Sequence, residues 1–168
     1  HVFGVTDPGA FAEYAPVHKD CIVRLKDDIS YEMGAMLEAM GAGVHGVEVA
    51  RVRGKRVLVS GRGPIGLMTI GACKAHGASQ VIACDLIEEK LEIAKTMGAD
   101  ITVNSREVDL PAFVRSQTDG VGADAVIDIT GNPHAIRAGL KAVRKGGIFV
   151  SVGLPDGEVG INLTEDII

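Results

Sequence analysis

From residue 54 onward the sequence alternates between short, mostly apolar runs and longer segments with helical spacing. The apolar runs are KRVLVS, SQVIACD, ADITVN, ADAVIDIT and GIFVSVG. The segments between them are PIGLMTIGACKAHG, IEEKLEIAKTMG, LPAFVRSQTDG and NPHAIRAGLKAVRKG, and their apolar residues recur at helical intervals. Nearly continuous apolar strands are typical of parallel strands covered on both faces. The alternation predicts an α/β fold with an open, doubly wound parallel sheet.

Composition narrows the classes of partner that this chain can have. The 168 residues include 17 basic and 22 acidic side chains, giving a net charge of −5. Without a basic cluster, binding to nucleic acid is not expected. The three cysteines form no C-x-x-C pair, which argues against a disulfide scaffold and favours the cytoplasm. No apolar run of about 18 residues indicates a membrane span, and no signal peptide is recognisable.

The first 53 residues differ in character from the alternating part. Residues 1–27 contain Gly, Pro and short alternating stretches, which predict two strands joined by turns. Residues 28–53 predict linking helices: Ser30 is a candidate N-cap for a first helix, and a second helical stretch follows from about Gly43. The predicted domain division is therefore residues 1–27, 28–53 and 54–168, with the last range forming the main domain.

A glycine-rich turn lies between the first predicted strand and the helix that follows it. Gly61, Gly63 and Gly66 have the spacing G-x-G-x-x-G. In dinucleotide-binding sheets the first glycine allows the tight turn, the second lets the backbone approach a pyrophosphate, and the third lets the helix pack on the strand. Pro64 suits an early helix position, and Ile65 follows it in the first turn. These five residues are the predicted phosphate-binding turn.

An acidic residue ends the second predicted strand. Asp85 comes about 20 residues after the last glycine of the turn, where a carboxylate accepts hydrogen bonds from the adenosine ribose and repels a 2′-phosphate. Lys90, further along, is a candidate for the same ribose edge. The pattern predicts NAD rather than NADP as the cofactor. The alternative is a plain tight turn, with Asp85 only capping the next helix.

Longer stretches carry a family resemblance over essentially the whole chain. The segments GAFAEYAPV, MLEAMGAGVHGV, VLVSGRGPIGLM, VIACDLIEEKLEIAKTMGAD and GGIFVSVGLPDGEVGINL resemble the zinc-dependent medium-chain alcohol and polyol dehydrogenases. Within that superfamily the threonine dehydrogenase branch is the most similar, followed by the sorbitol and butanediol branches. The resemblance implies an enzyme that takes a small-molecule alcohol and forms a homo-oligomer, either a dimer or a tetramer.

The resemblance also implies that this chain is a fragment of such an enzyme. Residues 1–27 would be the C-terminal part of a β-rich, GroES-like catalytic domain, and residues 54–168 a Rossmann domain truncated at its C-terminal end. Zn²⁺ would be held mostly by residues outside this chain, since no G-H-E motif and no cysteine cluster occur in it. The fragment is expected to be inactive alone.

One residue corresponds to the zinc site of the family. Glu38 aligns with a glutamate that lies beside the zinc as a ligand or as a partner of the bound water, although Ala39 stands where the family usually has proline. Its neighbours Met36, Leu37 and Met40 are typical of a buried helix face, where a carboxylate needs a cation or hydrogen-bond donors. The alternative is that Glu38 lies on the solvated edge of the helix.

Two further segments are assigned by the resemblance to the nicotinamide end of the cofactor. Thr130 and Gly131 follow the fourth strand, whereas Val152, Gly153 and Leu154 end the fifth. Ligands of doubly wound sheets bind at the carboxyl ends of the strands. The alternative is that the two glycines only serve the turns that such loops need.

The leading functional hypothesis is NAD-dependent oxidation of a secondary alcohol to a ketone with zinc assistance. A second hypothesis is a dinucleotide-binding module without catalytic activity. A third is the zinc-free quinone reductase branch of the same superfamily, which usually prefers NADPH. Asp85 and Glu38 both count against this third hypothesis.

Overall fold

The computed structural model describes residues 3–61 and 63–167. In this range five strands alternate with helices in the predicted order. The strands are β1 (Arg56–Ser60), β2 (Gln80–Asp85), β3 (Ile101–Asn104), β4 (Ala123–Asp128) and β5 (Val143–Ser151). The helices are α1 (Tyr31–Ala50), α2 (Pro64–Ala75), α3 (Glu88–Thr96), α4 (Leu110–Ser116) and α5 (Pro133–Ala142).

All neighbouring strands are parallel, and their order across the sheet is β3-β2-β1-β4-β5. The first strand, β1, lies in the centre of the sheet. Strands β2 and β3 follow on one side of it, and the chain then crosses to the other side of β1 for β4 and β5. This arrangement confirms the predicted doubly wound parallel sheet. Ligands of such folds bind at the carboxyl ends of the strands, beside the switch point, which here lies between β1 and β4.

The sheet is covered on both faces because its strands are apolar on both faces. In β1, Val57 and Val59 pack in one cluster with Ile70 of α2, whereas Leu58 packs on the opposite face with Val114 of α4. All five side chains are fully buried. Burial of a side chain of this size stabilises the fold by about 1.5–3 kcal/mol. The core therefore fixes the strand ends from which the loops of the site start.

The chain forms two compact units, one that ends at Met36 and one that begins at Leu37. The sheet and helices α2 to α5 all belong to the second unit. The boundaries predicted from the sequence at residues 28 and 54 remain a prediction about the functional domains.

The prediction of two strands in residues 1–27 is wrong for the part that the structure describes. Residues 3–27 hold one isolated bridge and a short 3-10 helix, Lys19–Cys21, but no extended strand. Apolar side chains in this segment, such as Phe11, Tyr14 and Val23, are exposed. An extended segment without a neighbouring strand leaves its backbone groups unpaired within the protein, so alternating residues alone do not form a sheet.

Residues 28–53 contain one helix and not the two helical stretches that the sequence predicts. Helix α1 is continuous over its 20 residues. A Cβ atom on Gly43 would lie 2.8 Å from Oγ1 of Thr69, so this glycine serves the close approach of α1 to α2 and does not end a helix. Among the described residues, neither α1 nor any other helix has the length and apolar character needed to cross a bilayer.

Helix α5 ends four residues before the predicted end at Gly146, and β5 begins there. Val143 is already extended, with φ −70° and ψ 141°, and pairs with Ala123. Nε of Arg144 donates a hydrogen bond to Oδ1 of Asp124 at 2.7 Å. These contacts to β4 override the helical propensity of the local sequence.

Asp124 connects three strands at the amino edge of the sheet. Its carboxylate accepts hydrogen bonds from the backbone N–H of Arg56 in β1 at 2.9 Å and from Nε of Arg144 in β5 at 2.7 Å. Burial raises the pKa of Asp124, but the hydrogen bonds from both arginines and the charge of Arg56 outweigh it. The pKa of this carboxyl group is therefore lower than usual.

We expect Asp124→Asn to lower the free energy of unfolding by about 1.5–3 kcal/mol at neutral pH, the range for hydrogen bonds to charged groups. Because the native pKa is lowered, this stabilisation is complete above the unfolded-state pKa of about 4 and is lost as the pH falls through the native pKa. Urea unfolding at about pH 7 and about pH 3 measures the effect. The unsubstituted chain should lose more stability between the two than the variant; equal losses would contradict this role.

Candidate functional site

The turn between β1 and α2 brings two backbone segments closer together than a side chain would allow. Gly61 has a φ of +89°, in the left-handed region that favours glycine. A Cβ atom on Gly66 would collide with the carbonyl oxygen of Gly61 and lie 2.9 Å from its carbonyl carbon. Gly63 caps α2, and Pro64 and Ile65 are its first two residues. All five predicted residues therefore lie in the strand, turn and helix arrangement that the spacing predicts.

The first turn of α2 faces the carboxyl edge of the sheet. The first N–H groups of a helix have no partner within the helix and carry a partial positive charge. Apart from its chain neighbours, no described residue has an atom within 4 Å of a Cβ atom placed on Gly63, so a ligand can approach the backbone there. Such helix starts bind phosphate groups.

Asp85 ends β2 and shapes the turn that follows. Its Oδ1 atom accepts hydrogen bonds from the backbone N–H groups of Leu86 at 2.7 Å and Ile87 at 3.1 Å. The N-cap of α3 is Ile87, which makes no side-chain cap, so Asp85 does not occupy the N-cap position of the alternative interpretation. The half-buried carboxylate is fixed at the edge of the sheet by its own loop. Lys90 is half-buried in the first turn of α3.

A cleft of about 540 Å³ opens where the ends of β1, β2, β3 and β4 meet. Gly61, Asp85 and Thr130 line it together, so the structure brings three of the predicted site residues to one cavity. Its apolar wall includes Val108 and Leu110. A mostly apolar cleft with a few polar groups is typical of a ligand site. The other predicted cofactor residues lie outside its lining: Gly63, Pro64, Ile65, Gly66, Lys90, Gly131, Val152, Gly153 and Leu154.

Sequence reasoning missed several polar residues of this cleft. Ser60, Ser105, Asn132 and His134 line it as well. Ser60 ends β1, Ser105 follows β3, and Asn132 and His134 lie at the start of the helix that follows β4. The rule that ligands bind at the carboxyl ends of parallel strands could therefore have found them. Asn132 also caps α5, because its side-chain oxygen accepts hydrogen bonds from the first N–H groups of that helix.

The two segments predicted at the nicotinamide end lie against each other. A Cβ atom on Gly131, which has a φ of +63°, would collide with the carbonyl oxygen of Leu154. A Cβ atom on Gly153 would collide with the backbone nitrogen of Gly131 and lie 2.7 Å from the carbonyl carbon of Ile129. Both glycines therefore allow two backbone segments to pack closely, which a simple turn does not require. Their contact with a cofactor remains a prediction.

The acidic residue at the end of β4 is a second feature that sequence reasoning missed. Asp128 is fully buried, and its carboxylate accepts hydrogen bonds from the hydroxyl of Thr130 and the backbone N–H of Gly131. Buried carboxylates are stable only when they are paired in this way. The signal in the sequence is an acid that closes an apolar run directly before Ile-Thr-Gly.

The expected burial around Glu38 is not found. Glu38, Met36, Leu37 and Met40 are all exposed, so burial does not oblige this carboxylate to bind a cation. Within residues 3–61 and 63–167, no three His, Cys, Asp or Glu side chains come together as metal ligands. The described residues therefore do not form a zinc site by themselves. A metal-binding role of Glu38 remains a prediction.

Two of the cysteines are buried in the core. Cys73 and Cys84 have almost no exposed surface, whereas Cys21 is exposed. Burial raises the pKa of the Cys73 thiol to about 12, so it stays protonated and packs as a small apolar side chain.

Comparison with known proteins decides the family. Residues 64–168 match the family model described as zinc-binding dehydrogenase. The chain belongs to the zinc-binding dehydrogenase family. Membership confirms the resemblance found in the sequence, and the matched range begins at Pro64, the first residue of α2.

Individual relatives match this chain over nearly all of its sequence. An L-threonine 3-dehydrogenase of Symbiobacterium thermophilum is 40% identical over 167 residues, which are 99% of this chain and 48% of the relative. A sorbitol dehydrogenase of Bacillus subtilis is 36% identical over 157 residues, which are 92% of this chain and 44% of the relative. The chain thus spans about half the length of the curated relatives that it matches.

A solved structure confirms the fold of this dehydrogenase-family chain. Galactitol-1-phosphate dehydrogenase from Escherichia coli superposes with a TM-score of 0.87 at 28% identity. The match covers 95% of this chain and 46% of that chain. The doubly wound sheet is therefore shared with a structurally characterised dehydrogenase.

Proposed function

We propose that this chain is the cofactor-binding part of an NAD-dependent dehydrogenase that oxidises a secondary alcohol to a ketone. The observation that carries the proposal is the tight contact of Gly66 with the carbonyl of Gly61, with Asp85 at the tip of the adjacent strand. In this proposal residues 54–168 form the cofactor domain, residues 28–53 link it to the remainder, and residues 1–27 end a GroES-like catalytic domain.

The shape of the turn and cleft fits one half of a dinucleotide. The open approach to Gly63 and the N–H groups at the start of α2 would bind the diphosphate. Asp85 would accept hydrogen bonds from the hydroxyls of the adenosine ribose, and Lys90 would extend that edge. The apolar wall around Val108 and Leu110 would receive the adenine ring, because flat aromatic groups bind to apolar surfaces.

The nicotinamide end would lie on the paired segments Thr130–Gly131 and Val152–Leu154. Bound NAD would supply the acceptor for the hydride that leaves the carbon carrying the alcohol hydroxyl, and the hydroxyl proton would be released to solvent. The residues of this chain would bind the cofactor, orient its ring and keep water from one side of it. They supply no acid or base in this proposal.

Zinc and substrate would be held by other parts of the full enzyme. The described residues do not form a metal site, so we assign no step of the reaction to a metal that they bind. Glu38 is retained as one candidate zinc ligand, which would need further ligands from outside the described residues. We expect the chain alone to bind NAD without oxidising an alcohol.

The proposed substrate is an alcohol of the kind taken by the threonine dehydrogenase branch of the family. The relative of Symbiobacterium thermophilum, at 40% identity, favours a small alcohol of the threonine type. A polyol such as sorbitol or butanediol is the alternative, favoured by the sorbitol dehydrogenase at 36% identity. We further propose a homo-oligomer, a dimer or a tetramer, in the cytoplasm.

Asp85→Asn tests the cofactor preference. The amide keeps an oxygen that can accept a hydrogen bond from the N–H of Leu86. The substitution removes the negative charge that would repel a 2′-phosphate. We expect NADH to bind about tenfold more weakly, which corresponds to roughly one hydrogen bond to a charged group, and NADPH to bind more tightly. Fluorescence titration with both reduced cofactors measures the change.

Glu92→Gln is the matched control for this substitution. It also removes one negative charge. Glu92 is exposed on α3, and its carboxylate forms an ion pair with Lys95 of the same helix. Both affinities should stay within about twofold, since surface pairs contribute little. Tighter binding of NADPH than of NADH by the unsubstituted chain would contradict the role given to Asp85.

A further inference from the structure

One buried carboxylate holds the segment assigned to the nicotinamide end in place. Asp128 is the last residue of β4 and is 0% exposed. Its Oδ1 atom accepts a hydrogen bond from the hydroxyl of Thr130 at 2.7 Å, and its Oδ2 atom accepts one from the backbone N–H of Gly131 at 3.0 Å. Both oxygens of the carboxylate therefore hold the loop between β4 and α5.

The backbone of the same residue holds the second segment. The carbonyl oxygen of Asp128 accepts hydrogen bonds from the N–H groups of Val152 at 2.8 Å and Gly153 at 3.1 Å. Asp128 thus contacts Thr130 and Gly131 through its side chain, and the two residues directly after β5 through its carbonyl. The close packing of Gly131 on Leu154 depends on both sets of contacts.

The cleft wall formed by the start of α5 has its own support. The side-chain oxygen of Asn132 accepts hydrogen bonds from the N–H groups of His134 at 2.9 Å and Ala135 at 3.3 Å. The side-chain cap of α5 therefore does not use the Asp128 carboxylate, whereas the backbone N–H of Asn132 donates a hydrogen bond to the hydroxyl of Thr130 at 2.9 Å. Loss of that carboxylate should disturb Thr130 and Gly131 more than the cleft wall formed by α5.

We propose that Asp128 is a positioning residue for the nicotinamide end of the site. This inference rests on the proposed function, because it concerns the binding of the same cofactor. The carboxylate sets the positions of Thr130 and Gly131 relative to the end of β5. A carboxylate accepts at both oxygens, whereas an apolar side chain leaves the hydroxyl of Thr130 and the buried N–H of Gly131 without this acceptor.

The test compares NADH with ADP-ribose, which lacks the nicotinamide ring, in binding to Asp128→Ala. We expect NADH to bind at least about tenfold more weakly, because two hydrogen bonds to a charged group are lost. ADP-ribose should change by less than about threefold, since the contacts assigned to it, at the start of α2, at Asp85 and at the wall around Val108 and Leu110, do not involve the Asp128 carboxylate. Calorimetric titration of the 168-residue chain measures both affinities.

Asp124→Ala is the control for a purely structural effect. Asp124 lies on the same strand, at the opposite edge of the sheet, and its carboxylate also accepts two short hydrogen bonds. Its loss should reduce stability but leave the ratio of the two affinities within about twofold, because distant sites act independently.

Thr130→Val covers the case in which Asp128→Ala does not fold. Thr130 is exposed, so the loss of its hydroxyl leaves the core unchanged. We expect NADH to bind about three- to tenfold more weakly, because valine loses the hydrogen bond to the Asp128 carboxylate and the one that the hydroxyl accepts from the N–H of Asn132. Thr130→Ser keeps the hydroxyl and should restore the affinity to within about twofold.

Each result either supports or overturns the role of Asp128. An equal loss for NADH and ADP-ribose, unchanged NADH binding, or failure of Thr130→Ser to restore affinity would overturn it. If the unsubstituted chain binds NADH, those results count against Asp128 alone. If the unsubstituted chain binds neither ligand, the proposed function is overturned together with this inference.

Discussion

Gly66→Ala is expected to weaken NAD binding by about 100-fold, because it displaces two or more N–H donors from the diphosphate. The new Cβ atom would collide with the carbonyl oxygen of Gly61 and lie 2.9 Å from its carbonyl carbon. The atoms with which the new Cβ would collide belong to the backbone of Gly61, so no flexible side chain can move aside to relieve the collision. The start of α2 must therefore shift away from the end of β1, and its N–H groups shift with it.

The same substitution should lower the free energy of unfolding by about 1–3 kcal/mol, the usual cost of an overpacked interior. Thermal or urea unfolding measures this effect, and fluorescence titration with NADH measures the binding. Unchanged stability together with unchanged affinity would contradict the close contact between Gly61 and Gly66.

Two alanine variants in or beside α2 separate folding from binding. A Cβ atom on Gly71 would lie 3.5 Å from Cε of Met97, which is an ordinary contact. Gly71→Ala should therefore affect neither property unfavourably. Among the described residues, none but its chain neighbours would lie within 4 Å of a Cβ atom on Gly63, so Gly63→Ala should retain stability within about 0.5 kcal/mol. It should still weaken NAD binding, because its methyl group occupies the space through which the diphosphate approaches.

Gly153→Ala is expected to have the second largest effect. Its Cβ atom would collide with the backbone nitrogen of Gly131 and lie 2.7 Å from both the carbonyl carbon and the carbonyl oxygen of Ile129. The end of β5 must move away from the β4–α5 loop. We expect the free energy of unfolding to fall by about 1–3 kcal/mol and NADH to bind at least about tenfold more weakly.

Leu154→Ala is the matched stability control for Gly153→Ala. Leu154 is 92% exposed, and truncation of an exposed side chain changes stability by no more than about 0.5 kcal/mol. Urea unfolding of both variants provides the comparison. A Gly153→Ala variant as stable as Leu154→Ala would show that the two segments can separate without cost.

The order of strands and helices could be predicted from the sequence because it depends on local pattern. The runs around Leu58 and Ile82 are apolar on both faces, and only a sheet covered on both sides buries them all. The glycine turn could be predicted for the same reason. Glycine is required at positions 61 and 66 by the local backbone conformation of the turn, which does not depend on distant contacts.

Features that depend on distant contacts could not be predicted in this way. The early start of β5 depends on the hydrogen bond between Arg144 and Asp124, which lie far apart in the sequence. Gly43 indicated the start of a second helix but instead allows α1 to approach Thr69. The strands expected in residues 1–27 need a pairing partner, which alternation of residues does not reveal.

The candidate site followed the same division. Gly61, Asp85 and Thr130 were predicted and line one cleft. Asp128 was missed because its importance comes from the hydrogen bonds that it accepts from Thr130 and Gly131, and these are visible only in three dimensions. The burial expected around Glu38 was wrong, because the apolar residues of that part of α1 are exposed.

An NMR titration of the ¹⁵N-labelled chain with NAD tests the central claim most directly, because it reports where the ligand binds. We expect the largest shifts at backbone N–H groups of the first turn of α2, of the turn after Asp85 and of the loop from Thr130 to Asn132. NADP should produce smaller shifts at the same concentration. Shifts confined to the amino edge of the sheet near Asp124, or no shifts at all, would contradict NAD binding at the glycine turn.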